Sequence, residues 1–600
     1  MPSNKPFLSA VITFLFIFIA IPAYSGVLYV TEDGTGDGTS WANAFGDPQE
    51  AIELAAVDDR YSQVWVAAGT YLPTGHPNST FRTREVHFSL RNGVTVYGGF
   101  IGNETKLEER DFEANETIFS GDIGVEGDDS DNTYHVFYHP EATEMNETAI
   151  LDGAIVTNSS YSGFYNNKSN PNLINVIINM NKGGGIYNIS SNPILTNVTI
   201  SNNSNISRGG GMYNSNSNPT LKNVIITDNE ASGMGGGIYN SDSNPTLINV
   251  IISNNSSNSE GGGIYNYSSD PTLTKVTIRE NNALSGGGIY NLYSNHILTN
   301  VIVNGNEVSN NGGGIYNSSC NPTLINVTIS NNKASISGGG IYNGPRPVWQ
   351  ASPSNPTMTN VTISNNHAEE GGGIFNTRNS NPILMNTTIT NNSATYGGGM
   401  LNEDSNPVIK NSIFWGNSAT GSGDEHINAG TSSPEVSWSI FAGGYPDGTN
   451  IITDDPLLQP LADNGGFTKT HAIPSDSPAY AIPESAGDGD WNDAPYIDQR
   501  GMLRATSGYR AIGSYEDADP DEEKQNAIAI FNAAESLYPD WFYPQGQSTQ
   551  EYDGYEHRMF YRYYPEKDIF LLTYDAVVYY HYAGRYYQWG TVQEWLEWME

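Results

Sequence analysis

Nine times between Gly183 and Met400 the chain spells a version of Gly-Gly-Gly-Ile-Tyr-Asn, with the triplets starting 26, 26, 26, 25, 26, 26, 33 and 26 residues apart. A fixed period of that length marks a stacked repeat, in which no unit can bury its apolar face without its neighbours. One unit, from Gly235, reads GGGIYNSDSNPTLINVIISNNSSNSE. It holds two β-prone runs, GGGIY and TLINVII, separated by stretches rich in Ser, Asn and Pro. Gly, Asn and Pro recur too densely for a helix, and no apolar pattern has a helical period. The expected fold class is all-β, a parallel β-helix solenoid whose strands pair with the coils above and below at about 4.8 Å.

The variable positions orient the side chains. Leu247, Val250 and Ile252 have apolar equivalents in nearly every unit and should face inward, while Ile248 alternates with Thr and Lys and should face water. Leu247 and Val250 lie three apart, which breaks the period of two, so a bend is expected at Asn249. Its equivalents are Asn197, Asn223, Asn300, Asn326, Asn360, Asn386 and Asn411, with Lys275 interrupting the row. Asn tolerates left-handed backbone and can bond to its own copy in the next coil. A second row has no exception: Asn188, Asn214, Asn240, Asn266, Asn291, Asn317, Asn343, Asn376 and Asn402. It reads as another corner ladder, with the glycine triplets supplying tight turns.

Residues 1–25 read as a signal peptide, with Lys5, an apolar run from Leu8 to Ile21, and Ala23-Tyr24-Ser25 before Gly26. The run is short for a membrane anchor, and no other segment is apolar enough to span a bilayer, so the expectation is export and a mature chain without a transmembrane span. A net charge of −39 argues against nucleic acid or anionic membranes as partners. Cys320 is the only cysteine, which excludes intrachain disulfides and cysteine-based metal clusters.

Residues 26–160 read as an N-terminal cap with the first, degenerate coils. Asp47-Pro48-Gln49-Glu50 is a helix-start signal that leads into AIELAAV, a short helix placed to cover the open end. Coils are expected over 161–450, with the repeat fading after Gly397 and an insertion near 344–351 carrying Trp349. Residues 451–516 are loop-rich. Residues 517–600 change composition and read as a small aromatic-rich α+β domain, with a helix after Asp519-Pro520, strands around HRMFYRYY and IFLLTYDAVVYYHY, and a last helix near TVQEWLEWM.

The units GGGIYN…SNPTLxNVTI resemble the right-handed parallel β-helix repeats of bacterial secreted and outer-membrane proteins, including the polymorphic outer-membrane protein type. The stretch LRNGVTVYGGFIGNET…RDFEANETIFSGDI (90–123) is similar to the N-terminal coils of that group. The segment DPLLQPLADNGGFTKTHAIPSDSPAY…IDQRG…AIGSYE (455–516) resembles the choice-of-anchor Q module. The resemblance implies a secreted or cell-surface protein and no established reaction. The chain ends without the alternating pattern of an autotransporter barrel, which sets it apart from the polymorphic proteins.

Many enzymes on such a fold cleave acidic polysaccharides, the lyases with Asp-held calcium beside an Arg or Lys base, the hydrolases with paired carboxylates. Asp228 and Glu280 share a coil position two coils apart, about 10 Å at 4.8 Å per coil, and Arg279 before Glu280 should point to the opposite side. With Glu260, Glu369 and Glu370 they read better as solvated surface charges, and no catalytic residue is assigned. Tyr187, Tyr213, Tyr239, Tyr265, Tyr290, Tyr316, Tyr342 and Phe375 follow the inward residue of each unit and should point outward. As an exposed stripe they could hold a glycan or a cell-surface protein; the competing reading is mutual ring stacking or burial. Asp488, Asp490, Asn492 and Asp493 alternate as in a calcium loop or as a solvated acidic turn; no other cofactor is indicated. The function that fits best is a structural and interaction protein, secreted or on the bacterial cell surface or outer membrane, acting in adhesion or attachment. The alternatives are a polysaccharide lyase or glycosidase and a non-catalytic glycan-binding protein.

Overall fold

The computed structural model describes residues 26–74, 83–345, 352–483, 495, 497–502, 504 and 509–516, with the backbone of five strands between 543 and 591. Nearly every strand up to Phe441 pairs in parallel with its counterpart one coil away, as in Ile186–Ile189 with Met212–Ser215 and Ile238–Ser241 with Ile264–Tyr267. The strands form a 25-stranded bent sheet built from the TLINVII segments, a 12-stranded sheet built from the GIYN segments, and a 6-stranded sheet of two-residue strands. The fold is a parallel β-solenoid. Residues 403–450, irregular in the sequence, still contribute coils, ending with Glu435–Ser437 and Ile440–Phe441.

Each coil folds as it does because one residue accepts a left-handed backbone. Asn249 has φ 55°, its equivalents from Asn197 to Asn411 lie between 50° and 56°, and Lys275 takes φ 56° in the same row. This corner turns Leu247 and Val250 both inward, each 1% exposed, and leaves Ile248 37% exposed. Asn249 Nδ2 donates to Asn223 Oδ1 at 2.8 Å, and Asn223 to Asn197 at 3.1 Å. The glycine triplets are required for two reasons. Gly235 sits at φ +72°, and a Cβ on Gly237 would lie 2.6 Å from the carbonyl oxygen of Gly263 in the next coil.

The apolar interior is one continuous cluster from Leu28 to Phe441. Two columns of asparagine run inside it. The first is the row of Asn188, which lies within a strand and not at a corner: Ile186 and Asn188 alternate with Tyr187, so both face inward. Asn188 Nδ2 donates to Asn214 Oδ1 at 2.9 Å, and the pattern repeats to Asn402. It continues beyond the sequence row to Asn166 and Asn428, and ends on His139 Nδ1 and the Tyr445 hydroxyl, each at 2.8 Å. The second column is Asn181, Asn203, Asn229, Asn255, Asn281, Asn306, Asn332, Asn366, Asn392 and Asn417, all buried. Asn255 Oδ1 accepts from the Asn229 backbone N–H and Nδ2, each at 3.0 Å. Its Nδ2 donates to the Ile226 carbonyl at 2.9 Å and to Asn281 Oδ1 at 3.0 Å. That uses all four hydrogen-bonding sites of a primary amide, the condition under which a buried polar group is stabilising.

The ends and one flank are covered. The helix Pro48–Val57 has Asp47 as its cap, accepting from the Gln49 N–H at 2.7 Å, and its Ala51, Ile52 and Ala55 join the core of the first coil. The described residues between 453 and 516 lie back across the outer face of the late coils. The residues of the IDQRG…AIGSYE signature form the clasp. Gln499 Nε2 donates to Thr328 Oγ1 at 2.7 Å and its Oε1 accepts from Thr362 at 2.6 Å. Ser514 bonds to Thr362 and Thr388. Arg504 reaches Asn360 Oδ1 at 3.0 Å and pairs with Glu516 at 3.1 Å, both side chains buried. Outward threonines that meet water in earlier coils are thereby buried. Beyond Glu516, five antiparallel strands run from Tyr543–Tyr552 to Arg585–Thr591. The expected signal peptide, the Trp349 loop and the two C-terminal helices fall outside the described residues.

Two substitutions test this packing. Asn255→Ala removes the side-chain bonds to the Ile226 carbonyl and Asn281 Oδ1 and those accepted from the Asn229 backbone N–H and Nδ2, and should cost about 3 kcal/mol in urea unfolding. His296 takes the place that Pro holds in neighbouring coils, is 1% exposed, and has no hydrogen-bond partner for either ring nitrogen among the described residues. Burial lowers its pKa from 6.5 to about 3. A base with a depressed folded pKa contributes stability above its unfolded pKa that is lost as pH falls below it. His296→Pro should therefore stabilise by about 1 kcal/mol at pH 8, and the gain should grow by roughly 1 kcal/mol per unit as pH falls below 6.5.

Candidate functional site

The coils are not all of one length. The equivalent residues Asn166 and Asn188 are 22 apart, while Asn188 and Asn214 are 26 apart. The difference lies in one connection. Asn181 is followed two residues later by Gly183, whereas Asn203 is followed six residues later by Gly209, with Ser204–Arg208 between. Those added residues begin the six-stranded third sheet, whose first member is Ser204–Asn205. The first long coil therefore stands proud of the short coils before it. A cleft of about 880 Å³ lies at this step.

The short connections carrying Tyr161 and Lys182 border the cleft on one side, and the segment from Asn205 to Arg208 on the other. Asn205 Nδ2 ties that segment down through the Gly183 carbonyl at 2.7 Å. Tyr165, Tyr187 and Tyr213 form the aromatic wall, stacked at 5.6 and 4.4 Å with planes 6° and 4° apart. Tyr161 stands nearly perpendicular to Tyr134 at 5.2 Å and keeps 56% of its surface exposed. Burial, with the neighbouring Tyr213, pushes the Tyr187 phenol up to about 12, so it stays a hydrogen-bond donor at neutral pH. Burial, reinforced by His87, lowers His135 to about 4, leaving a neutral ring whose Nδ1 meets Ser162 Oγ at 2.8 Å.

Three cations line this cleft. The Arg84 guanidinium lies over Tyr134 at 4.9 Å, with Nε donating to the Asn132 carbonyl at 2.8 Å. Arg208 lies over Tyr239 at 5.2 Å and donates to its hydroxyl at 3.2 Å. Lys182 meets Asp129 at 3.2 Å, with both side chains more than half exposed, a contact that solvent screens. Neither arginine has a carboxylate partner among the described residues, and no Asp or Glu lines the cleft.

Of the two readings of the aromatic column, the structure shows mutual ring stacking and burial, and the exposed stripe is not formed. Tyr239, Tyr265, Tyr290, Tyr316 and Phe375 are buried, and Tyr342 is half-buried. The rings do point away from the coil interior, but each covers the face of the next at 4.6 to 5.5 Å, so those faces are not available to a ligand. Only Tyr187 and Tyr213 of the predicted set border the cleft. Sequence reasoning missed Tyr134, Tyr161, Tyr165, Arg84, Lys182 and Arg208. The signal available was GFYNN at 163–167, a repeat unit 22 residues before GIYNI that lacks the full glycine triplet.

Elsewhere Arg279 and Glu280 form an ion pair instead of diverging, because Glu280 sits at φ 57° and strand alternation fails there. Asp228 is held by Thr227 Oγ1 at 2.8 Å on an exposed turn. The calcium candidates Asp488, Asp490, Asn492 and Asp493 lie outside the described residues, and among the described residues no cluster of His, Cys, Asp or Glu is arranged to hold a metal. Cys320 is buried within the column of turn serines, with its backbone N–H toward Ser354 Oγ, and burial pushes its thiol up to about 12.

The column and the cleft separate cleanly by mutation. Tyr265→Ala removes a buried ring stacked on both sides and should destabilise the solenoid by about 3 kcal/mol. Tyr161→Ala should leave the unfolding midpoint unchanged within about 0.5 kcal/mol. Parallel urea titrations of the two variants check both.

Residues 204–334 and 326–455 match the family model described as the right handed beta helix region. No curated protein matches the chain. A solved structure described as "The complex structure of XylC with xylose" is similar at 11% identity, covering 82% of this chain and 98% of that one with a TM-score of 0.32, a level that bears on neither ligand nor activity. The matched residues lie within the observed solenoid, whose coils are β-helix repeats.

Proposed function

We propose that the protein is a secreted or cell-surface β-helix rod that binds glycan without cleaving it, through the cleft at the coil-length step, and that this binding serves surface attachment. The observation that carries the reading is the cleft itself. It is a concave site with a half-exposed tyrosine, hydroxyl donors and cations around it. Aromatic bodies with polar rims suit sugars, which present C–H faces between hydroxyl groups. Hydrolysis on this fold would call for two carboxylates flanking the bond, and no carboxylate lines the cleft. The N-terminal signal pattern and the resemblance of 455–516 to an anchoring module support the surface location.

The test is a glycan array probed with residues 26–600 and with Tyr161→Ala, alongside an assay for chain cleavage. The reading expects retention on a subset of glycans, at least about 10-fold weaker in Tyr161→Ala, with no product released. Absence of retention on every glycan, or turnover of a retained one, would overturn it.

A further inference from the structure

Resting on the reading of the step cleft as a glycan site, we infer that its ligand is an acidic glycan, one bearing carboxylate or sulfate groups along the chain. The argument starts from the charge of the whole protein. With 65 acidic residues against 26 basic ones, a basic side chain has an excess of carboxylates to pair with. Many bases elsewhere do so: Arg60 with Asp58, Arg110 with Asp152, Lys168 with Glu141, Arg279 with Glu280, Lys333 with Glu307, Arg500 with Asp498 and Arg504 with Glu516. Arg84 and Arg208, like Lys222, Lys275 and Arg378, have no ion pair among the described residues, and they are the two that share a cleft. Each lies over a tyrosine ring and uses one N–H on a neutral oxygen, and neither meets a carboxylate among the described residues.

Both line the same cleft, with Lys182, which meets Asp129 in solvent, between them in sequence and no acid among the described lining residues. Each guanidinium rests against a tyrosine and keeps N–H groups uncommitted, which suits binding of a carboxylate or sulfate. The strongly negative remainder of the molecule would repel a polyanion at every other surface, so recognition is confined to this step. A neutral glycan would gain nothing from two arginines held apart from the protein's own acids. Placement on a solenoid flank suits an internal stretch of a long polymer.

The experiment uses residues 26–600 on an array carrying polygalacturonate, alginate, hyaluronate and chondroitin sulfate beside neutral xylan, mannan and dextran. The wild-type chain is compared with Arg84→Gln/Arg208→Gln and with the control Arg60→Gln, a surface arginine whose partner is Asp58. The inference expects retention only on charged glycans, weakened as salt rises, and roughly 100-fold weaker in the double variant. Arg60→Gln should bind as wild type, and unchanged thermal melts show that all three fold. The carboxylated and sulfated members distinguish which anion is preferred. Retention on neutral glycans, or charged retention unaffected by the double variant, overturns the inference and leaves glycan binding standing. Retention on nothing removes glycan binding and this inference together.

Discussion

The structure depends on the side-chain amide of asparagine placed where water cannot reach. In the column through Asn203, Asn229, Asn255 and Asn281, each amide accepts from the rung before it and donates to the rung after it and to a backbone carbonyl. The bonds all run the same way, so their dipoles align and each polarises the next. The column also fixes register. A coil that slipped by one residue would turn its Asn outward and put an unpaired polar group among Ile and Val. The corners add a geometric condition, met by Asn249 and its copies in a left-handed backbone and tolerated once by Lys275. With rung spacing and register so determined, coil length becomes the one variable that can change without disturbing the core.

That freedom explains where the proposed site lies. The connection between the second asparagine column and the glycine triplet sits outside the core, so lengthening it from one residue to five after Asn203 leaves the strands in register on both sides. The step then exposes the flank of the aromatic column at Tyr187 and Tyr213, which further along is sealed by its own stacking. The proposed binding surface lies at an irregularity, while the coils between Gly235 and Asn343 keep one regular register. The segment 453–516 follows the same logic: it covers the outward threonines of three late coils by matching their hydroxyls with Gln499 and Ser514.

Much of the architecture was legible because the repeat displays its own substitution tests. Ile248 alternating with Thr and Lys identified an outward position, and the three-residue step from Leu247 to Val250 located the corner. The second asparagine column was equally readable, since Asn229, Asn255 and Asn281 recur at the same coil position, but its neighbours vary and no triplet advertises it. The tyrosines were harder. Alternation says which way a ring points, and only the packing of successive rungs says whether anything is left uncovered. Asn188 was misplaced at a corner because an invariant polar residue in a buried strand is uncommon, and the ladder that permits it is a property of the stack and not of one coil. The cleft was out of reach of period analysis, because the 22-residue coil ending at Asn188 lacks the glycine triplet at its start.

The most direct measurement of this account is amide hydrogen exchange across residues 26–516. The backbone N–H of each inner-column residue from Asn203 to Asn392 donates to a buried asparagine Oδ1 one rung on, as at Asn203 with Asn229 and Asn306 with Asn332. Those amides should be the slowest to exchange in the molecule, protected to the free energy of unfolding, while Ser207 and Arg208 at the step exchange early. Exchange of the column amides as fast as those of the step would contradict the claim that the buried ladders hold the coils in place.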